Sequence, residues 1–211
     1  MKVGIIDYGI GNLGSVMRGV EAAGGQPVLL NKSKAISSVD RYILPGVGNF
    51  SDCAKLLDKG EWTKSLQDQV LGAGKPILGI CLGMQLLASY GVEGADDGIT
   101  PGLGLIPGRV EALRDLGCKL RLPHVGWNEI RCVSKPRGIF ESIPDGTDFY
   151  FVHSYAFVPE DPKHIFAVTE YNIAVTAAVR LNSIWGVQFH PEKSSRAGFR
   201  LLQKFLKDPS C

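Results

Sequence analysis

Pro76-Ile77-Leu78-Gly79-Ile80-Cys81-Leu82-Gly83-Met84-Gln85-Leu86-Leu87 is one apolar stretch with two different periods. Residues 76–80 form a short continuous apolar run, as expected of a strand buried on both faces of a parallel sheet. From Leu82 onward the pattern reads as a helix, with no linker between the two. The same alternation extends upstream. Residues 3–6 are a β-branched run ending at Asp7, and Val16, Val20 and Ala23 have helical spacing that Gly24-Gly25 stops. Residues 28–30 read as a second strand, and 42–44 as a third, cut by Pro45-Gly46. Residues 56–71 are mostly helical in pattern, broken near Lys59-Gly60 and again at Gly72. Such alternation predicts an α/β fold with a mostly parallel central sheet and helices on both faces.

Downstream the character changes. Residues 91–104 are rich in Gly and Asp and read as a loop. Residues 109–113, 120–122, 128–133, 149–152, 165–169 and 174–181 are short segments bounded by Gly and Pro, which predict a smaller, partly antiparallel β extension. Residues 184–189 make a last buried strand, and Phe199, Leu202, Phe205 and Leu206 give a closing helix its apolar face. No internal repeat or linker is visible, so residues 1–211 are expected to form a single domain.

The chain of 211 residues is long enough to bury a core without staples, and its 45% hydrophobic and 21% charged composition excludes a disordered chain. Twenty-three Lys and Arg against 21 Asp and Glu leave a net charge of +2, too balanced for a nucleic-acid-coating surface. Cys53, Cys81, Cys118, Cys132 and Cys211 form no C-x-x-C pair, so neither a metal knuckle nor a dithiol motif is expected. Free thiols suit a reducing compartment. The first charge after Lys2 comes at Asp7, too early for a secretory apolar segment, and no apolar run reaches the ~20 residues a bilayer requires. The expectation is a cytoplasmic chain with no membrane or nucleic-acid partner.

Gly9-x-Gly11-x-x-Gly14 follows a strand and precedes a helix, the layout of a dinucleotide fingerprint. The acidic residue that should end the second strand is missing, because that strand ends Leu30-Asn31-Lys32. A tight strand-to-helix turn, or a loop that meets a partner, accounts for the same glycines, and no cofactor is expected.

Gly79-Ile80-Cys81-Leu82-Gly83 has the spacing of a nucleophile elbow with sulfur in place of oxygen. A sharp turn throws the side chain out at the top of the sheet, glycines on either side remove clashing Cβ atoms, and the helix start favours thiolate. The Leu82 amide, just after the nucleophile, can donate to an oxyanion. A buried inert cysteine is the plainer alternative. Of His124, His153, His164 and His190, the last ends an apolar strand and has Glu192 two residues on. In extended chain those two side chains point the same way, so Glu192 can orient His190 by accepting its ring N–H. His153 is the competing base and has no carboxylate beside it. Glycines in Pro45-Gly46-Val47-Gly48 can turn an amide toward developing negative charge, or simply make a turn.

Together, residues 79–85 and Gln188-Phe189-His190-Pro191-Glu192 resemble the class I, triad-type glutamine amidotransferases. Further stretches narrow the resemblance to the glutaminase subunits of imidazole glycerol phosphate synthases, of histidine biosynthesis: Asp7-Tyr8-Gly9-x-Gly11-Asn12, residues 45–48, 102–108, Pro123-His124-Val125-Gly126-Trp127-Asn128, residues 151–155 and 190–194. The resemblance runs from residue 2 to about 206. It implies that Cys81 attacks the side-chain amide of glutamine, that His190 moves protons and that Glu192 holds it. It implies an oxyanion hole from the amides of Val47 and Leu82, with a peptide flip in the strand Gly46 to Gly48. Gln85 and Glu93 would hold the amino-acid end of glutamine, near the Ser154 and Tyr155 backbone. In this family Glu93 commonly has an acidic residue before it, where this chain has Val92. The implied partner is a (βα)₈-barrel cyclase in a heterodimer, docked on a face carrying Asn12, His124 and Trp127. A paralogue on the same scaffold, feeding a sugar-amidating synthase, stays open at the level of sequence.

Overall fold

The computed structural model describes residues 1–96 and 98–207. Its strands, in chain order, are β1 (Lys2–Ile6), β2 (Gln26–Leu30), β3 (Arg41–Gly46), β4 (Ile77–Cys81), β5 (Tyr90–Gly91), β6 (Thr100–Pro101), β7 (Gly108–Ala112), β8 (His124–Cys132), β9 (Thr147–His153), β10 (Tyr155–Pro159), β11 (Ile165–Glu170), β12 (Ala174–Leu181) and β13 (Ile184–Val187). The helices are α1 (Leu13–Ala22), α2 (Phe50–Lys59), α3 (Trp62–Gln67), α4 (Leu82–Leu86) and α5 (Ser195–Lys207). A large sheet runs β2-β1-β3-β4-β13-β12-β11-β8-β9, and a smaller one runs β10-β7-β5-β6. The first five strands of the large sheet pair in parallel, and from β13 to β9 every pairing is antiparallel. The expected α/β fold with a smaller, partly antiparallel sheet is therefore present. Most of the downstream β segments prove to continue the large sheet rather than leave it.

Alternation along the buried strands sorts side chains onto two cores. Ile5, Ile43, Leu78 and Ile80 pack with Val16 and Val20 of α1 and Leu202 and Phe205 of α5. Ile6, Tyr42, Leu44 and Ile77 pack on the other face with Phe50 and Leu57 of α2, Leu66 of α3 and Met84 of α4. Helices on both faces leave no polar side to these strands, which is why they read as unbroken apolar runs.

Several local expectations change. Strand β3 runs through Pro45-Gly46 instead of stopping there, because Pro45 and Gly46 stay in register with Ile80 and Cys81. Helix α2 starts at Phe50, before the predicted 56, since the Asn49 side chain accepts from the Asp52 amide at 3.2 Å and caps it. Asn followed three residues later by an acidic residue is a legible start signal that the sequence reading passed over. Residues 120–122 form no strand, and the loop 91–104 contains the two-residue strand β6. Leu202, Phe205 and Leu206 fill the core side of α5 as expected, joined by Leu201, while Phe199 faces out. Cys53, Cys81, Cys118 and Cys132 are free thiols, and Cys211 lies outside the described residues. Among the described residues no helix is long and apolar enough to cross a membrane.

The junction of β3, β4 and α4 is closely packed backbone on backbone. A Cβ on Gly83 would strike the carbonyl of Leu44, and one on Gly79 would lie 2.6 Å from the carbonyl oxygen of Gly83. Gly83→Ala is expected to lower stability by about 2–3 kcal/mol through overpacking, read as a lower urea midpoint. An unchanged midpoint would contradict this account of the junction.

Candidate active site

Parallel pairing puts the carboxyl ends of neighbouring strands on one edge, where sites of open α/β sheets collect. Gly46 pairs with Cys81 at the ends of β3 and β4, and Val187 of β13 pairs with Ile80. The three residues after β13 carry the chain past the same edge to His190. Register alone thus unites side chains 109 positions apart.

Cys81 sits at φ 54 and ψ −114, a left-handed turn between β4 and α4. For a non-glycine residue such a conformation costs on the order of 1–3 kcal/mol and persists only where packing enforces it. The close-packed glycines of that junction supply the enforcement. Its Sγ lies 3.8 Å from the carbonyl oxygen of Val152 and 3.8 Å from Nε2 of Gln188.

His190 donates from Nδ1 to Oε1 of Glu192 at 2.8 Å, and both side chains are buried. The predicted pairing is present, but for a different reason. Pro191–Lys193 is a 3₁₀ turn, not extended chain, and it curls the carboxylate back onto the ring. Burial pulls the His190 pKa down, yet the neighbouring Cys81 sulfur and the Glu192 carboxylate outweigh it and leave it raised to about 9. Among the described residues, Nε2 of His190 meets no oxygen or nitrogen partner, which leaves it able to exchange a proton at the cleft. The turn is pinned to β9: the His190 amide donates to the Tyr150 carbonyl at 2.9 Å, and the Ser194 hydroxyl donates to the His190 carbonyl at 2.6 Å while accepting from the Tyr150 amide at 3.0 Å.

A cleft of about 170 Å³ opens over the sulfur. Of the residues singled out in the sequence, Val47, Gly48, Leu82, Gln85, Glu93, Ser154 and Tyr155 line it with Cys81 and His190; Gly46 sits behind, paired to Cys81, and Glu192 lies behind His190. Glu93 accepts from the Phe50 amide at 3.0 Å, and burial raises its pKa. Gln85 donates both amide protons inside the protein, to the Tyr155 carbonyl at 3.0 Å and to Oε1 of Gln188 at 2.9 Å. That leaves its oxygen as the group able to accept from a ligand.

His153, the competing base, also lines the cleft. Burial above all pushes its pKa down to about 3, so it stays neutral. Its Nδ1 must carry the proton, because it faces the Tyr155 carbonyl at 2.8 Å. Its Nε2 meets Nδ1 of His124 at 3.0 Å. His124 was expected on a docking face, and the structure corrects this: it is 1% exposed, stacked between Phe151 and Tyr171. At the first position of β8, opposite His153, its side chain turns inward. Trp127 is 52% exposed and meets the Tyr150 ring edge-on, while Asn12 is half-buried.

Four contributors escaped the sequence reading. Gln188 and Ser194 lie in motifs that were quoted without being given roles. Tyr8 donates to the Pro45 carbonyl at 3.1 Å, and Cys53 to the Val47 carbonyl at 3.5 Å, so both brace the segment 45–48 from beneath. A second cleft of about 260 Å³, between α2 and Thr100–Leu103, is lined by no cysteine or histidine among the described residues.

The class I glutamine amidotransferase family model matches residues 5–208. The chain belongs to the class I glutamine amidotransferases. Among curated members, the imidazole glycerol phosphate synthase subunit HisH of Geobacter sulfurreducens is 40% identical over 97% of both chains. That of Rhodospirillum rubrum is 42% identical, covering 98% of this chain and 99% of the relative. Among solved structures, one described as a glutamine amidotransferase shares the fold with TM-score 0.74 and 19% identity, over 97% of this chain and 96% of that one. The PurLQS structure from Thermotoga maritima gives TM-score 0.75 at 16% identity, over 97% of both chains.

In this amidotransferase the raised His190 pKa has a testable sign. The stabilisation from that proton is complete below the unfolded value of ~6.5 and is lost as pH rises through about 9. An NMR titration should find the His190 ring with a midpoint near 9, and Glu192→Gln should lower it. A midpoint indifferent to Glu192→Gln would remove the carboxylate from this role.

Proposed function

We propose that the chain is the glutaminase subunit of an imidazole glycerol phosphate synthase, hydrolysing glutamine to glutamate and ammonia for a partner subunit. The observation that carries the reading is the His190–Glu192 pair at 2.8 Å beside the enforced turn of Cys81. Relatives named as that synthase's subunit match nearly end to end, which favours it over a paralogue feeding a sugar-amidating synthase.

The Cys81 sulfur attacks the side-chain amide carbon of glutamine, and the carbonyl π electrons move onto oxygen. The amides of Val47 and Leu82 receive the oxyanion, each such donor being worth about 10²–10³ in rate. A peptide flip in the strand Gly46 to Gly48 completes the hole. His190, protonated at neutral pH, gives its Nε2 proton to the leaving nitrogen; the C–N bond breaks, and ammonia departs from a γ-glutamyl thioester. The now neutral His190 takes a proton from water, whose oxygen attacks the thioester. Cys81 then departs as thiolate beside the reprotonated His190, and the new γ-carboxyl loses its proton to solvent as glutamate leaves. Glu192 holds the ring throughout. The oxygen of Gln85 and the carboxylate of Glu93 accept from the α-ammonium of glutamine, beside the Ser154 and Tyr155 backbone.

Ammonia released into water near neutral pH becomes ammonium, which has no lone pair. Delivery through a dry path to a second site keeps it nucleophilic. We place that site on a (βα)₈-barrel cyclase, in a cytoplasmic heterodimer docked through Asn12 and Trp127, with residues 1–211 acting as one domain. Cys81→Ala is expected to abolish glutamine-dependent synthesis by the complex while sparing synthesis from ammonium salts; equal loss of both would overturn the assignment. His190→Ala should lower glutamine turnover more than Glu192→Ala, because a misoriented base exceeds none; steady-state kinetics with the reverse order would reassign the roles.

A further inference from the structure

A carboxamide can be turned end for end with little change in shape, so its orientation is set by what it faces. The carbonyl of Tyr155 can only accept. The end of Gln85 that meets it at 3.0 Å is therefore the amino end. The second proton of that amino group points at Gln188, 2.9 Å away, where only an oxygen can receive it. With its oxygen fixed there, Gln188 has its amino group on the other side, 3.8 Å from the Cys81 sulfur. One backbone carbonyl thus dictates, through two side chains, that a donor faces the nucleophile. The carbonyl itself is held by a second donor, Nδ1 of His153 at 2.8 Å, and His153 is steadied in turn by His124. The opposite orientation would set oxygen against oxygen at Tyr155.

Gln188 is fully buried and does not line the cleft, so it touches no substrate. Besides the His190 ring, the sulfur has an acceptor beside it, the Val152 carbonyl, and a donor, Gln188, each at 3.8 Å. A thiol can turn its proton toward Val152; a thiolate gains from the Gln188 N–H. A donor that favours the charged form raises the thiolate fraction. We infer that Gln188 is a positioning residue for Cys81, its amino group aimed by Gln85 and the Tyr155 carbonyl so as to hold the sulfur and stabilise its thiolate. This rests on Cys81 being the nucleophile.

The test is the pH profile of Cys81 alkylation by iodoacetamide in the full chain, read by peptide mass, with glutamine kcat and KM measured in the complex. Gln188→Met keeps length without the donor, and Gln188→Glu keeps shape while turning an acceptor toward the sulfur. Both should slow alkylation at neutral pH by about 3- to 10-fold, move the profile to higher pH and lower kcat with KM nearly unchanged. Gln85→Met, which leaves Gln188 free to turn, should slow alkylation by a smaller factor and keeps the test alive if the first two variants do not fold. Profiles superimposable on that of the unaltered chain, in folded variants, would overturn the inference. Glutamine hydrolysis surviving in Cys81→Ala would instead overturn the reading beneath it.

Discussion

Parallel hydrogen bonding between β3, β4 and β13 is the constraint on which everything else depends. It fixes three strand ends on one edge and sets Gly46 beside Cys81 and Val187 beside Ile80. A slip of one residue would turn each side chain to the opposite face and leave the sulfur and the imidazole apart. Two buried faces make such a slip costly, since each fully buried Ile or Leu contributes about 1.5–3 kcal/mol. The site inherits its accuracy from a core that has no chemistry of its own.

The same edge carries the strain. Cys81 holds a left-handed backbone conformation because β3 and α4 press on it from both sides. Tyr8 and Cys53 brace the facing segment by taking the carbonyls of Pro45 and Val47. The antiparallel half of the sheet contributes differently. Strand β9 supplies the Tyr150 carbonyl and amide that pin the His190 turn, and the residues just beyond it bring the Tyr155 carbonyl against Gln85. The two halves of one sheet meet at the cleft, one giving Cys81 and the other fixing its surroundings.

Two histidines in one cleft show how the group facing Nδ1 separates their charge states. His190 and His153 both line the cleft, and each has an acceptor on Nδ1. The acceptor of His190 is a carboxylate, which stabilises the cation; that of His153 is a neutral carbonyl, which does not offset desolvation. One is therefore raised to about 9 and the other lowered to about 3. The carboxylate two residues away marked the histidine that pairs with Glu192 in the structure, though through an extended geometry that the 3₁₀ turn replaces.

The sequence by itself determined the strand–helix alternation, the elbow at Cys81 and the His190–Glu192 pairing, because each is marked by residues close in the chain, even though distant packing holds the elbow and the turn in place. Periodicity, glycine spacing and near neighbours are local quantities. Only the tertiary structure decided that segments 128–133, 149–152, 165–169 and 174–181 extend the large sheet, and that His124 turns inward against Phe151 and Tyr171. It alone aimed Gln188 at the sulfur through Gln85. Those outcomes depend on which strand edges pair and on which donor meets which acceptor across more than a hundred residues in the last case, and no local pattern encodes that choice.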